Sequence, residues 1–117
     1  MRRRAEVQGR LHAHYHEVNE RHFAGLLPTL PILIVPMTRK RRGLRSIACT
    51  YCDDMGAPRR ITMDEAFALT KSWGAVRDAL THEMGHVWQA AMGLDLDHGP
   101  SFHQIAKRLG ISERAVD

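Results

Sequence analysis

The sequence has little of what secreted or membrane-embedded proteins usually need. Only two cysteines occur among its 117 residues, so no disulfide framework stabilises the fold, and a reducing compartment is expected. The longest apolar runs, such as residues 32–35, are far too short to span a bilayer. The arginines at 2–4 are not followed by the apolar stretch of a secretory signal peptide. We therefore expect a cytoplasmic protein that makes no membrane contact.

Length and hydrophobic content predict a single domain over residues 1–117, since a chain of this size with 44% apolar residues can bury one core. Apolar residues at helical spacing predict helices over 5 to about 24, 64–69, from the N-cap Ser72 to the stop at Gly93, and from Phe102 to Gly110. Short β-branched runs predict strands at 30–35, 44–51 and 60–63. Strands before a helical second half indicate an α+β fold with a small sheet of three to four strands.

The strongest chemical signal lies in the third predicted helix. His82 and His86 are four residues apart, so both imidazoles project from the same helical face and can hold one metal ion. Glu83 lies about 100° around the helix from His82, where its carboxylate can reach a water at the metal without taking a coordination site. This H-E-x-x-H arrangement supplies two ligands and a general base, and it predicts zinc, which makes a coordinated water acidic near neutral pH.

A catalytic zinc site usually has three protein ligands, so a third ligand is needed. His98 is the best candidate, because the helix stops at Gly93 and a loop can then return the chain to the site. His103, Asp95 and Asp97 remain alternatives from the residues alone. One of the aspartates could instead orient an imidazole as a hydrogen-bond acceptor.

These two histidine elements resemble those of the SprT-like metallopeptidase family, which includes the Spartan proteases. H-E-M-G-H at 82–86 is followed by H-G-P-S-F at 98–102, and residues 19–28 are similar to the family's N-terminal helix with its N-x-x-x-F…L-P ending. Residues 60–63 look like the strand that precedes the active-site helix, so the resemblance covers about residues 11 to 109.

The resemblance implies a zincin-like fold, a zinc ion held by His82, His86 and His98, and endopeptidase chemistry on protein substrates with Glu83 as the catalytic residue. Many bacterial members carry a C-terminal zinc ribbon, and this sequence ends at Asp117 without one. We therefore expect a minimal SprT-like domain. An extended substrate could add to an edge of the sheet, and residues 60–63 are the strand that we expect it to pair with.

DNA is a further expected partner, because Spartan-type proteins cut proteins attached to DNA. A basic cluster that could contact phosphates, or could be a solvated loop, comprises Arg39, Lys40, Arg41, Arg42 and Arg45. Residues 105–116 resemble the middle of a helix-turn-helix, but the sequence ends before a full recognition helix. The alternative to an enzyme is a non-catalytic module that keeps zinc for structure and binds DNA or a protein. A side chain as fourth ligand would favour that module, and water would favour the enzyme.

Two other patterns resemble sites but are incomplete. His12, His14 and His16 form an H-x-H-x-H run in the first helix, and no carboxylate or further histidine is placed to complete a metal site. We interpret them as polar surface positions. Cys49 and Cys52 form a C-x-x-C without the second ligand pair of a zinc site or the helix N-terminus of a redox motif. We interpret them as half-buried thiols.

Overall fold

A computed structural model describes residues 1–37, 40–41, 44–45 and 47–111, with the backbone alone at 40–41 and 44–45. This part of the chain has the α+β architecture that the sequence predicts, with four helices on a small sheet. The helices are α1 (Arg4–Phe23), α2 (Glu65–Thr70), α3 (Trp73–Ala91) and α4 (Pro100–Leu109). The strands are β1 (Ile32–Val35), β2 (Lys40–Arg41), β3 (Leu44–Arg45), β4 (Ala48–Cys52) and β5 (Pro58–Asp64).

The sheet has the strand order β1-β5-β4, with β5 parallel to β1 and antiparallel to β4. Its register aligns Ile32, Ile61 and Thr50 in one row across the three strands. The strands β2 and β3 pair separately as a short antiparallel hairpin. The strand predicted over 44–51 is therefore two strands, because the chain bends at Ile47 between them.

The expectation that a substrate pairs with residues 60–63 is wrong. Those residues belong to β5, whose two sides are already occupied by β1 and β4. The outer strand beside α3 in the described sheet is β4. A peptide that extends this sheet next to α3 would have to pair with β4.

Helix α3 is the central element of the fold, since it contacts α1, α4, β4 and β5. It begins after Ser72, whose Oγ accepts a hydrogen bond from the Ala75 amide at 3.2 Å, as expected of an N-cap. It ends before Gly93, which adopts the left-handed conformation with φ of 73°. Because other elements surround it, every residue from 79 to 87 is buried. No helix in the described part of the chain is both long and apolar enough to cross a membrane.

Candidate metal centre

His82 and His86 lie on consecutive turns of α3 and are both buried, at 2% and 4% exposure. Their ring centroids are 5.1 Å apart with the ring planes at 74°. The helical register thus directs both imidazoles to one side of α3, as the spacing predicts.

His98 joins this pair from the loop between α3 and α4. Its Nε2 atom lies 3.2 Å from Nε2 of His86 and 3.3 Å from Nε2 of His82. Potential ligand atoms of all three residues lie within 4.8 Å of one another, so the triad could hold a metal ion. Within the described residues the cluster contains these three histidines alone, and Asp95, Asp97 and His103 stand outside it.

The spacing of the three nitrogens can be compared with what zinc requires. Tetrahedral zinc–imidazole bonds of ~2.0–2.1 Å place the nitrogens roughly 3.3–3.4 Å apart. The two Nε2 separations of 3.2 and 3.3 Å agree with that value. His82 and His86 form the buried wall of the cluster, whereas His98 is exposed and leaves it open toward solvent. The residues present therefore fit a zinc ion with one side accessible.

Phe102, on α4, forms the floor of the cluster. Its ring centroid lies 4.7, 4.5 and 5.1 Å from those of His82, His86 and His98, and the ring is fully buried. Gly85 makes this approach possible, because a Cβ there would lie 3.3 Å from Phe102 Cε1. The glycine inside H-E-M-G-H thus lets α4 pack closely against α3, a role that sequence analysis did not identify.

Glu83 is fully buried and turns toward β4. The hydroxyl of Thr50, on that strand, lies 2.8 Å from Glu83 Oε1 and 3.1 Å from the Glu83 carbonyl oxygen, and it can donate to either. Thr50 was not among the site residues predicted from the sequence. The available signal was a hydroxyl residue on the inward-facing row of a strand, two residues after the buried Ala48.

Gln89 is the second residue that sequence analysis missed. It lies one turn beyond His86 on α3, is fully buried, and its Oε1 is 2.8 Å from His86 Nδ1. Its Nε2 donates to the Asp97 carbonyl oxygen at 3.1 Å and to Ser101 Oγ at 2.9 Å. A glutamine within an otherwise apolar helical stripe was the signal, because a buried amide needs polar partners.

Asp97 shapes the loop that carries His98. Its Oδ1 accepts a hydrogen bond from the Gly99 amide at 3.0 Å and lies 3.4 Å from Gln89 Nε2. The same carboxylate oxygen would be 3.2 Å from a Cβ at Gly99. Asp97 therefore positions the backbone on both sides of His98 and is not a member of the histidine cluster.

The histidines of α1 are placed differently. His12 and His16 are exposed, in agreement with the interpretation of polar surface positions. His14 is instead half-buried against α3, with its Nε2 2.8 Å from Thr81 Oγ1. Burial, and then the neighbouring Arg77 guanidinium, lower the pKa of His14 below its usual value.

Both cysteines are half-buried, as interpreted from the sequence. Burial and the nearby Asp53 carboxylate raise the pKa of the Cys52 thiol, which makes it a poor thiolate. In the basic cluster, Arg39 and Arg42 lie outside the described residues. Lys40, Arg41 and Arg45 have their backbones in the β2–β3 hairpin, and their side chains lie outside the described part of the structure. The second part of the helix-turn-helix pattern, residues 112–116, also lies outside it.

Comparison with known proteins adds one finding to this geometry. The model of the SprT-like family matches residues 11–116, which include α3, the His98 loop and α4. No curated protein and no solved structure matches the chain.

Proposed function

The chain belongs to the SprT-like family, and from that membership and the converging histidines we propose that it is a zinc-dependent endopeptidase of zincin-like design. His82, His86 and His98 hold the zinc ion, and Glu83 is the general base. The observation that carries the proposal is the three-imidazole cluster with a buried carboxylate on the same helix. Three histidines are a usual donor set for catalytic zinc.

The composition of the cluster favours an enzyme over a module that keeps zinc for structure alone. Structural zinc sites are normally closed by four protein ligands. The cluster in the described residues has three ligands, and His98 faces solvent. Glu83 also favours an enzyme, because burying a carboxylate is costly and a structural zinc site needs no carboxylate at this position.

When bound, a zinc ion supplies Lewis acidity that polarises a peptide carbonyl and makes water a nucleophile near neutral pH. Glu83 takes a proton from the attacking water and then delivers it to the leaving amine as the peptide bond breaks. The Thr50 hydroxyl lies 2.8 Å from Glu83 Oε1, and its donation to this oxygen would orient the carboxylate without adding a charge beside it.

The substrate would bind in extended form along β4. This strand lies at the outside of the described sheet and carries Thr50, which touches the base. Pairing with its backbone would bring a peptide alongside α3 for any side-chain sequence, and side-chain pockets would then set preferences. Protein and peptide substrates with an unfolded segment fit this mode.

The variant Glu83→Gln tests the proposal directly. Removing the base while keeping a side chain of equal size should lower the cleavage rate of an unfolded protein such as casein by about 10²–10⁴-fold. Zinc content, measured by elemental analysis, should stay at one ion per chain, because Glu83 is not a ligand. Cleavage at the wild-type rate by the zinc-loaded variant would show that Glu83 is not the base.

Binding of DNA through the basic cluster stays a prediction of the sequence. The β2–β3 hairpin pairs Lys40 with Arg45 and Arg41 with Leu44, which brings the backbones of these three basic residues together. Neutralising the cluster to glutamine should weaken binding equally for all DNA sequences, since phosphate contacts carry no base information. The slope of log affinity against log salt should become shallower by about 0.9 for each phosphate that the variant no longer neutralises. An unchanged salt slope would remove DNA as a partner of this hairpin.

A further inference from the structure

We propose that Gln89 is a positioning residue that prepares two of the three histidines for the metal through one buried amide group. Its oxygen fixes the tautomer of His86, and its nitrogen holds the loop that carries His98. The inference rests on the proposed zinc site, because it explains how the ligands of that site are oriented before the ion binds. Nothing in the H-E-x-x-H pattern itself requires a glutamine at this position.

The neighbours of the Gln89 amide determine its orientation. One side of the Gln89 amide faces the Asp97 carbonyl oxygen at 3.1 Å and Ser101 Oγ at 2.9 Å. A backbone carbonyl can only accept a hydrogen bond, so the NH₂ group of Gln89 must lie on that side. The carboxylate oxygen Oδ1 of Asp97, at 3.4 Å, is a third acceptor on the same side. The oxygen of the amide therefore faces His86.

The orientation of the Gln89 amide determines the tautomer of His86. Gln89 Oε1 lies 2.8 Å from His86 Nδ1, and an amide oxygen can only accept. His86 must then carry its proton on Nδ1 in the neutral form. Its Nε2 is left with a lone pair, and Nε2 is the atom that lies 3.2 Å from Nε2 of His98. By orienting the Gln89 amide, the Asp97 carbonyl oxygen thus determines which nitrogen of His86 can bind a metal.

Gln89 also positions the loop that carries His98. Gln89 holds Asp97 on one side of His98, and Ser101 at the start of α4 on the other. Asp97 in turn accepts from the Gly99 amide at 3.0 Å, so the backbone around His98 is held at three points. His98 itself is exposed and gains little from burial. Its approach to the buried pair therefore depends on this network more than on hydrophobic packing.

Burial makes the network strong. Gln89 is fully buried on α3, where leaving a polar group of its amide without a hydrogen-bond partner is unfavourable. The flipped amide orientation would set the amide oxygen against the Asp97 carbonyl oxygen, and both atoms can only accept a hydrogen bond. The arrangement thus has one favourable state, and that state is the one that binds metal. Partners of this kind typically change metal affinity by about 10–100-fold when they are removed.

The test compares zinc affinities, measured by competition with a chelator, for the wild type and two variants. Gln89→Met has similar length but no polar group, and it should lower zinc affinity by about 10–100-fold. Ser101→Ala is the matched control, because it removes a hydrogen bond of the same amide without touching His86. It should lower affinity only a few-fold relative to the wild type. Equal affinity in Gln89→Met and the wild type, or equal losses in both variants, would overturn the inference.

A second measurement needs no variant and no metal. Ring nitrogen NMR of the metal-free wild type at alkaline pH should show His86 protonated at Nδ1, and the Nε2–H form as the main species would overturn the inference. Should Gln89→Met not fold, this measurement on the wild type still decides the inference. A protein that binds zinc with the expected losses but cleaves no substrate would refute the proposed peptidase and leave the role of Gln89 intact.

Discussion

Helices α1 and α3 each carry a pair of histidines four residues apart, and among the described residues only the α3 pair belongs to a cluster that could hold a metal ion. On α1, His12 and His16 are exposed. On α3, His82 and His86 are buried, and His98 approaches them from a separate loop. The helical period brings two imidazoles together in both places. What distinguishes the pairs is a third ligand supplied by another element.

The difference arises from how each helix is packed. On α1 the buried residues follow one stripe that includes Leu11 and Tyr15, so the neighbouring His12 and His16 turn outward. Other elements surround α3 on several sides, so even polar residues of its middle are buried. Burial alone would penalise these histidines without compensation. We infer that ligand spacing on a helix predicts a site only where a second element faces the same stripe.

Zinc binding by variants of the two pairs gives the largest expected effect. Alanine at His82, His86 or His98 removes a ligand of the proposed zinc site, so zinc affinity should fall by more than the ~10–100-fold typical of losing a ligand's partner. Dialysis against buffer should then leave less than one ion per chain by elemental analysis. The double variant of His12 and His16 to alanine serves as the matched control and should retain one ion.

Two results would break the comparison. Full zinc occupancy after removal of a residue of the α3 pair would show that the cluster is not the metal site. A loss of zinc in the α1 double variant would show that His12 and His16 contribute a site of their own. The second result would make helical spacing alone, and not the facing element, the decisive feature.

The sequence predicted what depends on spacing within one element. His82, Glu83 and His86 share their relation through the period of a helix, and the stops at Gly93 and Gly110 are local signals. The third position of the cluster depended on a loop. The helix stop and the returning loop made His98 the best candidate, with His103, Asp95 and Asp97 as alternatives, and the family resemblance implied the same residue.

The contacts between elements could not be predicted. Thr50 is 33 residues before Glu83 and touches it only because β4 lies beside α3. The strand order also depends on contacts between elements, because no local sequence pattern indicates that β5 lies between β1 and β4. For this reason the prediction that residues 60–63 form an edge strand was wrong. The space that Gly85 leaves for Phe102 also requires the packing of two helices.

An intermediate effect is expected from one substitution made on each helix. Gly9 of α1 has nothing within 4 Å of an added Cβ, so Gly9→Ala should raise the free energy of unfolding by about 0.5–1 kcal/mol through helix propensity. Gly85→Ala gains as much, but its Cβ would lie 3.3 Å from the buried Phe102 ring. Overpacking typically costs about 1–3 kcal/mol, so a net loss of about 1 kcal/mol is expected.

Urea unfolding of the metal-free proteins measures both changes. Because Phe102 contacts the three imidazoles, Gly85→Ala should also weaken zinc binding, whereas Gly9→Ala should not change it. Equal stabilisation by the two substitutions would show that α4 can shift without cost. The close contact between Gly85 and Phe102 would then not distinguish the surroundings of the α3 histidines from those of the α1 histidines.

The smallest effect concerns His14, the α1 histidine that contacts α3. Burial, and to a smaller extent the Arg77 guanidinium, lower the pKa of His14, whereas the carboxylates of Glu17 and Asp78 raise it. The folded protein therefore takes up this proton at lower pH than the unfolded chain does. The sign follows from that order: the group costs no stability above a pH of about 6.5, and stability falls as the pH drops below it.

Replacing His14 by glutamine removes this titration and keeps a polar side chain near Thr81, whose hydroxyl lies 2.8 Å from His14 Nε2. The loss of unfolding free energy between about pH 8 and pH 5 should therefore be smaller in His14→Gln than in the wild type. The difference should be less than about 1 kcal/mol, because solvent screens a half-exposed imidazole. Urea unfolding of the metal-free proteins at both pH values measures it. An equal loss in the two proteins would contradict the prediction, since the contact with α3 would then have no bearing on where His14 takes up its proton.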